Sequence, residues 1–339
     1  MIRVALAFRG RRLRSLYPGL LAYALGIAAL SCNQPFDPRG SLDERLVVFS
    51  ILSTDRTQQI VRVEHSYMPA DFDPASSTTD LSVVGARVTI RSVSGQYVFH
   101  DTTFPRSDTI RYNAPLRGYV LNQFKADYGK SYLITVQSGS YATVTGSVLV
   151  PFKAKLSLEP SSYTVIDDPI RSAQEARILF PIVSGYNAKA FIGRLFVYYD
   201  VLKDGEWREE CTEIPVGYKY SGQKDLDQAT YGSLVPRTST GLAVGIYSNE
   251  LYNKMLSRLA YETYKGNKIV FNRVVFVVLQ LDPNLYNSYA ATHSNNDPHS
   301  IRLDEPSYSN VAKGSGAIGA YTLDSLVHLL PDGFGYDKY

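Results

Sequence analysis

Length, charge and cysteine content set the first limits on this chain. It has 339 residues with a formal charge of +3, but five of its arginines precede Cys32, and a chain starting there would hold 30 basic and 32 acidic residues, a charge of −2. That balance excludes the basic surplus of a nucleic-acid-binding protein, and two cysteines exclude a fold held by several disulfides.

Residues 1–31 show the pattern of a lipoprotein signal peptide. A cluster of arginines is followed by an apolar run over 16–30, which is too short to span a bilayer as a helix and is typical of a secretory signal. Cleavage after Ser31 would leave Cys32 as the first residue, with its thiol and amine free for lipid attachment. The sequence therefore predicts lipidation of Cys32 and a membrane attachment through that lipid. An ordinary cleaved signal, an uncleaved anchor and twin-arginine export stay open as alternatives.

The next segments predict a tether followed by a β domain. Residues 32–44 are polar and rich in Pro and Gly, as in an extended tether. Short β-type runs separated by turn residues then continue to residue 151, without helical periodicity. They predict an antiparallel β-sandwich over 45–151. The predicted strands cover 46–52, 59–64, 86–91, 95–99, 119–124, 131–136 and 142–150.

Residues 152–339 predict a larger β-rich domain with one main helix. The helix is predicted near 248–264, because apolar residues recur there at helical spacing between a serine cap and Gly266. A hairpin turn is predicted at 203–206, and a long strand-poor loop over 218–240. The apolar run 268–282 predicts the longest, central strand, and a short helix should follow it. Further strands are predicted at 154–158, 176–183 and 191–202, and a polar loop leads to a glycine-containing segment at 311–321.

Several of these segments together resemble a known family. The sequence is similar to the uncharacterised lipoproteins grouped as domain of unknown function 4249, which are typical of Bacteroidota. The matching segments are Cys32 with 35–38 (Pro-Phe-Asp-Pro), 46–52, 83–90, 281–289 (Leu-Asp-Pro then Tyr-x-x-Tyr), 305–310 (Glu-Pro-Ser-Tyr-Ser-Asn) and 314–321 (Gly-Ser-Gly-Ala-Ile-Gly-Ala-Tyr).

The resemblance implies a location and a fold but no reaction. It implies an outer-membrane lipoprotein whose first domain is a prealbumin-like or carboxypeptidase-regulatory sandwich. It also implies an association with TonB-dependent nutrient receptors, and it transfers no catalytic residue. Asn33, rather than an aspartate, after the cysteine favours the outer membrane as well, while the membrane face stays open.

Other motifs have structural explanations. Gly314, Gly316 and Gly319 fit a dinucleotide-binding pattern, but the following helix and acidic residue are missing, so these glycines predict tight turns and close packing. His293 and His299, and separately Asp71, Asp73 and Asp80, are weak metal-site candidates, because neither spacing fits a common metal motif.

The remaining nucleophile and carboxylate candidates are equally weak. Cys211 is expected to be a half-buried structural residue, since neighbouring carboxylates disfavour its thiolate. No Gly-x-Ser-x-Gly elbow surrounds Ser221, and the carboxylate pairs 167–168 and 209–210 are expected in solvated turns.

The prediction from sequence is thus a non-catalytic, lipid-anchored cell-envelope protein without cofactor or metal. It would bind a nutrient ligand or an outer-membrane receptor, with the loops 68–81 and 218–240 as the contact surface. An envelope structural or adhesion protein and a surface hydrolase are the alternatives.

Overall fold

Strands dominate the chain. The computed structural model describes residues 43–68, 80–106, 115–220, 227–263, 268–293 and 308–337. Within these ranges the protein is mainly β, with several sheets and one main helix, and the predicted fold class is confirmed. Residues Glu44–Tyr339 form one compact unit.

The strands and helices have the following bounds. The strands are β1 (Leu46–Ser53), β2 (Gln59–His65), β3 (Arg87–Ser92), β4 (Gly95–Val98), β5 (His100–Phe104), β6 (Leu116–Leu121), β7 (Ser131–Ser138), β8 (Tyr141–Leu149), β9 (Lys155–Leu156), β10 (Arg177–Val183), β11 (Ala190–Lys203), β12 (Glu206–Ile214), β13 (Gly217–Tyr220), β14 (Asp227–Thr230), β15 (Val235–Pro236), β16 (Leu242–Ser248), β17 (Ile269–Leu281), β18 (Val311–Ala312) and β19 (Ser315–Leu329). The helices of the described ranges are α1 (Pro160–Asp167), α2 (Asn249–Thr263) and α3 (Pro283–His293).

One large sheet runs through both parts of the chain. Its strand order is β12-β11-β17-β19-β1-β2-β6-β5, with β15 paired to β11. Strand β19 joins the two parts, because it pairs with β17 in antiparallel orientation and with β1 in parallel orientation. Smaller sheets are formed by β18-β8-β7-β3-β4, by β16-β10-β9 and by β13-β14.

The first hydrophobic core lies between the β18-β8-β7-β3-β4 sheet and the β1, β2 and β6 part of the large sheet. Its side chains alternate along each strand, as in β7, where Tyr132, Ile134 and Val136 are buried. Strands β18 and β19 also contribute, through Val311 and Ile318. The sandwich therefore includes strands from outside the predicted range 45–151, while the division of the chain after residue 151 stays a prediction.

The second core lies beneath strands β11 and β17 of the large sheet. Helices α1 and α2 and strands β10 and β16 contribute the opposite side of it. The rings of Phe180 and Phe276 stack there with centroids 4.0 Å apart. Tyr252 of α2 is fully buried, and its hydroxyl donates to the Ile166 carbonyl. Burial therefore fixes α2 and α1 against the same core.

Turn chemistry explains the tight connection between β11 and β12. Asp204 and Gly205 both have positive φ angles, 55° and 84°, as a two-residue hairpin turn requires. Lys203 pairs with Glu206 across the turn. The predicted hairpin at 203–206 and the predicted helix near 248–264 are both confirmed.

Several local predictions were wrong. The range 218–240 contains parts of the β13–β14 hairpin and strand β15, and is not strand-poor. Strand β17 is interior as predicted, but β19 and β11 are longer. Strands β5, β12 and β16 and helix α1 were not predicted from the sequence. None of the helices in the described ranges has the length and apolar character needed to cross a bilayer.

Candidate functional site

A cavity of about 370 Å³ lies beside strand β16 in the second half of the chain. It is lined by Phe180 and Ile182 of β10, by Phe191 and Gly193 of β11, and by residues 231–233 and Val235. This volume falls in the range of small-molecule and peptide side-chain sites. We call it the β16 cavity.

The cavity runs along the free edge of β16. Five consecutive residues of this strand, 243–247, line it. Consecutive strand residues point to opposite faces, so a cavity that touches all five lies against the backbone edge. The other edge of β16 is occupied by β10, and β16 has no second neighbour among the described strands.

The hydrogen-bond pattern shows which backbone groups face the cavity. At the two ends of the ladder, the Ser184 N–H donates to the Gly241 carbonyl (2.8 Å) and the Asn249 N–H to the Ala176 carbonyl (2.9 Å). Hydrogen-bonded pairs recur at every second residue of a regular antiparallel ladder, and this one has no register shift. The odd-numbered residues of β16 therefore bond to β10. The N–H and C=O groups of Leu242, Val244 and Ile246 point away from it.

The backbone of Leu242 agrees with this assignment. Its N–H donates to Thr240 Oγ1 (3.3 Å), and its carbonyl accepts from Thr238 Oγ1 (3.2 Å). Val244 and Ile246 have no such partners within the described part of the chain. Two N–H donors and two carbonyl acceptors are consequently left open along the cavity.

The side chains of β16 add an apolar stripe next to these open groups. Leu242 is 58% exposed, Val244 52% and Ile246 44%, and Val183 of β10 lies opposite Leu242 in the register. The strand has the sequence Leu-Ala-Val-Gly-Ile-Tyr-Ser and carries no charge. An uncharged, exposed edge strand of this kind is a site for pairing with another chain.

Other edges in the described structure are protected. Strand β12 has five charged residues among its nine, β5 is largely polar, and β4, β9, β13, β14, β15 and β18 have only two to four residues. Charge, polarity and shortness are the usual ways in which proteins prevent edge pairing. Strand β16 has seven residues and no charge, so its edge has none of these protections.

Glycines create the space of the cavity. A Cβ added to Gly245 would lie 3.6 Å from Phe180, and one added to Gly193 would lie 3.6 Å from Ile182. Both are ordinary van der Waals distances, so the volume is open because these positions have no side chain. Gly232 instead packs tightly, since its Cβ would come within 2.2 Å of the Gly193 carbonyl oxygen. That contact fixes residues 231–235 against β11.

The polar side chains of the cavity are hydroxyl groups, which can form hydrogen bonds with an uncharged ligand. Burial raises the pKa of the Tyr247 phenol, and the nearby Glu213 carboxylate raises it further, so this hydroxyl stays protonated. Tyr231 and Ser233 are the other hydroxyl residues among the described lining. That lining contains no acidic, basic, histidine or cysteine residue. It is thus suited to holding an uncharged ligand.

A second cavity, of about 420 Å³, lies at the start of α2. Asn249 donates there to the carbonyls of Pro169, Ser172 and Ala173, at 3.0–3.3 Å. Its side chain thereby holds the segment after α1 in place. Asn249 therefore has a structural role in this cavity.

The predicted lipidation residue and parts of the two predicted contact loops lie outside the described residues. Cys32 is outside the described residues, as are 69–79 of the predicted contact loop 68–81 and 221–226 of the loop 218–240. The described remainder of the second loop includes residues 231–233 and Val235, which line the β16 cavity.

The weak metal candidates are not brought together in the described ranges. No group of three or more potential ligand side chains occurs there. His293 ends α3 and stacks on Tyr289, and Asp80 accepts from the Ser82 backbone and hydroxyl. His299, Asp71 and Asp73 lie outside the described residues, as does Ser221.

Cys211 and the carboxylate pairs are placed differently from the predictions. Cys211 is exposed on β12, so the expectation of a half-buried residue was wrong. Glu209 and Glu210 lie in the same strand, not in a turn, and pair with Arg273 and Lys203. Asp167 ends α1 and pairs with His328 at 2.6 Å. Asp168 follows the helix and pairs with the exposed Arg171 at 3.6 Å, in agreement with the expected solvated charge.

The tail glycines confirm the packing prediction. A Cβ on Gly319 would lie 2.7 Å from Leu285 of α3, and one on Gly314 would lie 2.7 Å from the Leu46 carbonyl oxygen. Asp282 caps α3 by accepting from Asn284 and Leu285, and its Oδ1 also accepts from the Ala320 N–H. The glycines of this segment therefore allow β19 to pack closely against β1 and α3.

Strand β16 itself was not predicted from the sequence. Its alternation of large aliphatic residues with Ala and Gly is a period-two signal that was available. The position at a sheet edge was not available, because it depends on which distant strands pair. The open backbone groups follow only from that pairing.

Comparisons with known proteins provide little further information. No protein-family model and no curated protein matches the chain. Among solved structures it is similar to Salmonella alpha-2-macroglobulin reacted with methylamine, at 10% identity and a TM-score of 0.21, over 87% of this chain and 15% of that one. It is also similar to the C-terminal globular domain of an oligosaccharyltransferase from Pyrococcus abyssi, at 9% identity and a TM-score of 0.21, over 87% of this chain and 52% of that one. The chain thus spans less than two thirds of either protein. At TM-scores of 0.21, neither similarity bears on fold or function.

Proposed function

We propose that this protein is a non-catalytic, lipid-anchored binding protein of the cell envelope, and that the β16 cavity is its binding site. The observation that carries the proposal is an apolar, uncharged cavity beside a strand edge with open backbone groups. An apolar site with a few convergent polar groups is the usual form of a binding pocket.

The envelope location rests on the N-terminal sequence. The basic, apolar and cysteine segments of residues 1–32 support export and acylation of Cys32. Several acyl chains, at about 0.8 kcal/mol for each buried methylene, would hold the protein on a membrane face. The resemblance to lipoproteins of domain of unknown function 4249 supports the outer membrane. It also supports an accessory role beside a TonB-dependent nutrient receptor.

Binding to the cavity is tested with a neutral apolar fluorophore, N-phenyl-1-naphthylamine. The protein is the chain from residue 32 onward with Cys32→Ser, which carries neither the apolar segment 16–30 nor an acyl group. We expect saturable fluorescence enhancement that is lost in Gly245→Leu, because the added side chain fills the space over Phe180. Gly139→Leu is the matched control, since nothing lies within 4 Å of a Cβ at that position. Equal binding by both variants, with unfolding transitions like that of the parent, would overturn the proposed site.

The anchor is tested separately by metabolic labelling with radioactive palmitate. We expect label in the wild-type chain and none in Cys32→Ala, with the wild type in the outer-membrane fraction. Labelling that persists in the variant would overturn acylation of Cys32. Capture of an outer-membrane receptor by the cross-linked wild type, reduced in Gly245→Leu, would support the accessory role. Undiminished capture would overturn the cavity as the contact.

A further inference from the structure

We infer that the occupant of the β16 cavity is an extended, uncharged segment of another protein, which pairs with the free edge of β16 as an added antiparallel strand. This inference rests on the proposed function and specifies the ligand class. Strand addition to an exposed edge is a common mode of peptide recognition, in which backbone hydrogen bonds give affinity and side-chain pockets give specificity.

The backbone of β16 is arranged for such a partner. Val244 and Ile246 both direct their N–H and C=O groups away from β10, as derived above from the bonds at Gly241 and Asn249. Two residues of an antiparallel partner, spaced two apart, would each exchange a pair of hydrogen bonds with them. The added strand would thus make four backbone hydrogen bonds. The described chain leaves all four unmade.

Strand alternation then fixes which ligand side chain enters the cavity. The partner residue opposite Gly245 has its side chain on the inner face, since Gly245 lies on the same face as Phe180. No Cβ occupies that space, and the ring of Phe180 lies beneath it. We therefore expect a large aromatic or aliphatic residue at this ligand position. Its two neighbours would lie beside the exposed Val244 and Ile246, so they are expected to be apolar as well.

The dimensions and charge of the site exclude other segments. The five lining residues of β16 extend over roughly 16 Å at about 3.3 Å per strand residue, which suits a ligand segment of about five residues. The uncharged lining offers no partner to an ionised side chain, and burying one there would be costly. The segment should therefore be short and uncharged.

A second copy of this chain does not fit the same site. Residues 231–233 and Val235 line the same cavity as β16, and Gly232 packs this segment against Gly193. Two copies would have to displace this segment on both sides before their β16 edges reached the 4.7–4.9 Å of paired strands. Direct pairing of two β16 edges is therefore disfavoured, and the inferred occupant is a single extended segment of a different protein.

The test uses the peptide acetyl-Thr-Val-Phe-Val-Thr-amide with a fluorescent label and the Cys32→Ser chain. In the inferred pairing, Phe lies opposite Gly245 and the two Val residues exchange hydrogen bonds with Val244 and Ile246. N-methylation of both Val residues removes the N–H groups that face β16, and should weaken binding at least tenfold. N-methylation of Phe alters an N–H that faces away, and should change binding less than threefold. Equal binding by the two methylated peptides would overturn strand addition.

A protein variant provides the reciprocal measurement. Val244→Pro removes one N–H that faces the cavity and leaves the bonds to β10 in place, which an edge strand tolerates. We expect this variant to bind the unmethylated peptide at least tenfold more weakly than the parent does. It should still bind N-phenyl-1-naphthylamine. If the wild type binds the fluorophore but not the peptide, the inference fails and the proposed cavity stands. If it binds neither, both fail. Sedimentation of the chain as a dimer that Val244→Pro converts to a monomer would also overturn the inference, in favour of a second copy.

Discussion

Gly316 of β19 lies directly against the backbone of Val48 in β1. A Cβ added to Gly316 would be 2.1 Å from the Val48 carbonyl oxygen, and the residue has a φ angle of +113°. The two residues are paired in the parallel ladder that connects β19 to β1. This contact lets a C-terminal strand enter the sheet of the N-terminal sandwich.

The first prediction is that Gly316→Ala strongly destabilises the protein. The methyl group would overlap the Val48 carbonyl, and an L residue is strained at this φ angle. We expect a loss of about 3 kcal/mol in the free energy of unfolding, measured by urea denaturation followed by circular dichroism. Gly139→Ala is the matched control, because its Cβ meets open space. A Gly316→Ala chain as stable as the control would contradict this assignment.

The second prediction concerns Asn310, which is bonded to the backbone of Ile318. Its Nδ2 donates to the Ile318 carbonyl at 2.7 Å and its Oδ1 accepts from the Ile318 N–H at 2.9 Å. Asn310→Asp would place an acceptor against the carbonyl oxygen, so we expect a loss of about 1–3 kcal/mol at neutral pH. The free energy of unfolding of the variant is measured by urea denaturation.

The control for Asn310→Asp is Asn122→Asp. Asn122 uses only its Oδ1, which accepts from Gln58 Nε2 at 2.8 Å, and an aspartate retains that acceptor. Similar losses in the two variants would show that added charge, not the lost donor, is responsible.

Local signals predicted most of the strands because their chemistry lies within a few residues. Short β-type runs between turn residues identified β1, β2 and β7, and Asp-Gly identified the turn before β12. Helix α1 was missed because Pro160, at its first position, is compatible with both a helix start and a turn. The hairpin within 218–240 was missed because its strands are short and polar.

The pairing of strands that are distant in the sequence could not be predicted from local sequence patterns. Nothing near Ser315 indicates that β19 pairs in parallel with β1, more than 260 positions earlier in the numbering. The candidate site depends on the same kind of information. The open groups of Val244 and Ile246 exist because β10 bonds to the odd-numbered residues of β16.

The third prediction is that Cys211 reacts in the folded protein. It is exposed on β12, opposite Tyr198 in the ladder with β11. An acylated mature chain should release one equivalent of thionitrobenzoate from Ellman's reagent, before and after unfolding in urea, because the thiol of Cys32 is blocked. Cys211→Ser should release none and should change the free energy of unfolding by no more than about 0.5 kcal/mol. Two equivalents from the unfolded wild type would contradict acylation of Cys32, and slow release from the folded chain would contradict exposure.

The fourth prediction is a pH dependence from the buried Asp324. Its Oδ2 accepts from the Ala154 N–H at 2.9 Å and from Gln280 Nε2 at 3.1 Å, while Oδ1 is buried without a hydrogen-bond partner in the described structure. Burial raises the pKa of this carboxyl, although the Ala154 N–H, the Tyr128 hydroxyl, the charge of Lys153 and the Gln280 amide act in the opposite direction. The folded state therefore holds its proton to higher pH than the unfolded state does, whose pKa is about 3.9.

This difference fixes the sign of the effect. Between the unfolded and folded pKa values the native chain binds more protons, so the stability that Asp324 contributes falls as pH rises through that window. Asp324→Asn cannot titrate there. The free energy of unfolding of the wild type, minus that of Asp324→Asn, should therefore decrease from pH 4 upward and level off above the folded pKa. Asp332→Asn, an exposed carboxyl in the same chain, is the control for loss of one charge. A wild-type advantage that grows with pH would show that the carboxylate is stabilised in the fold, contrary to the burial of its unpartnered oxygen.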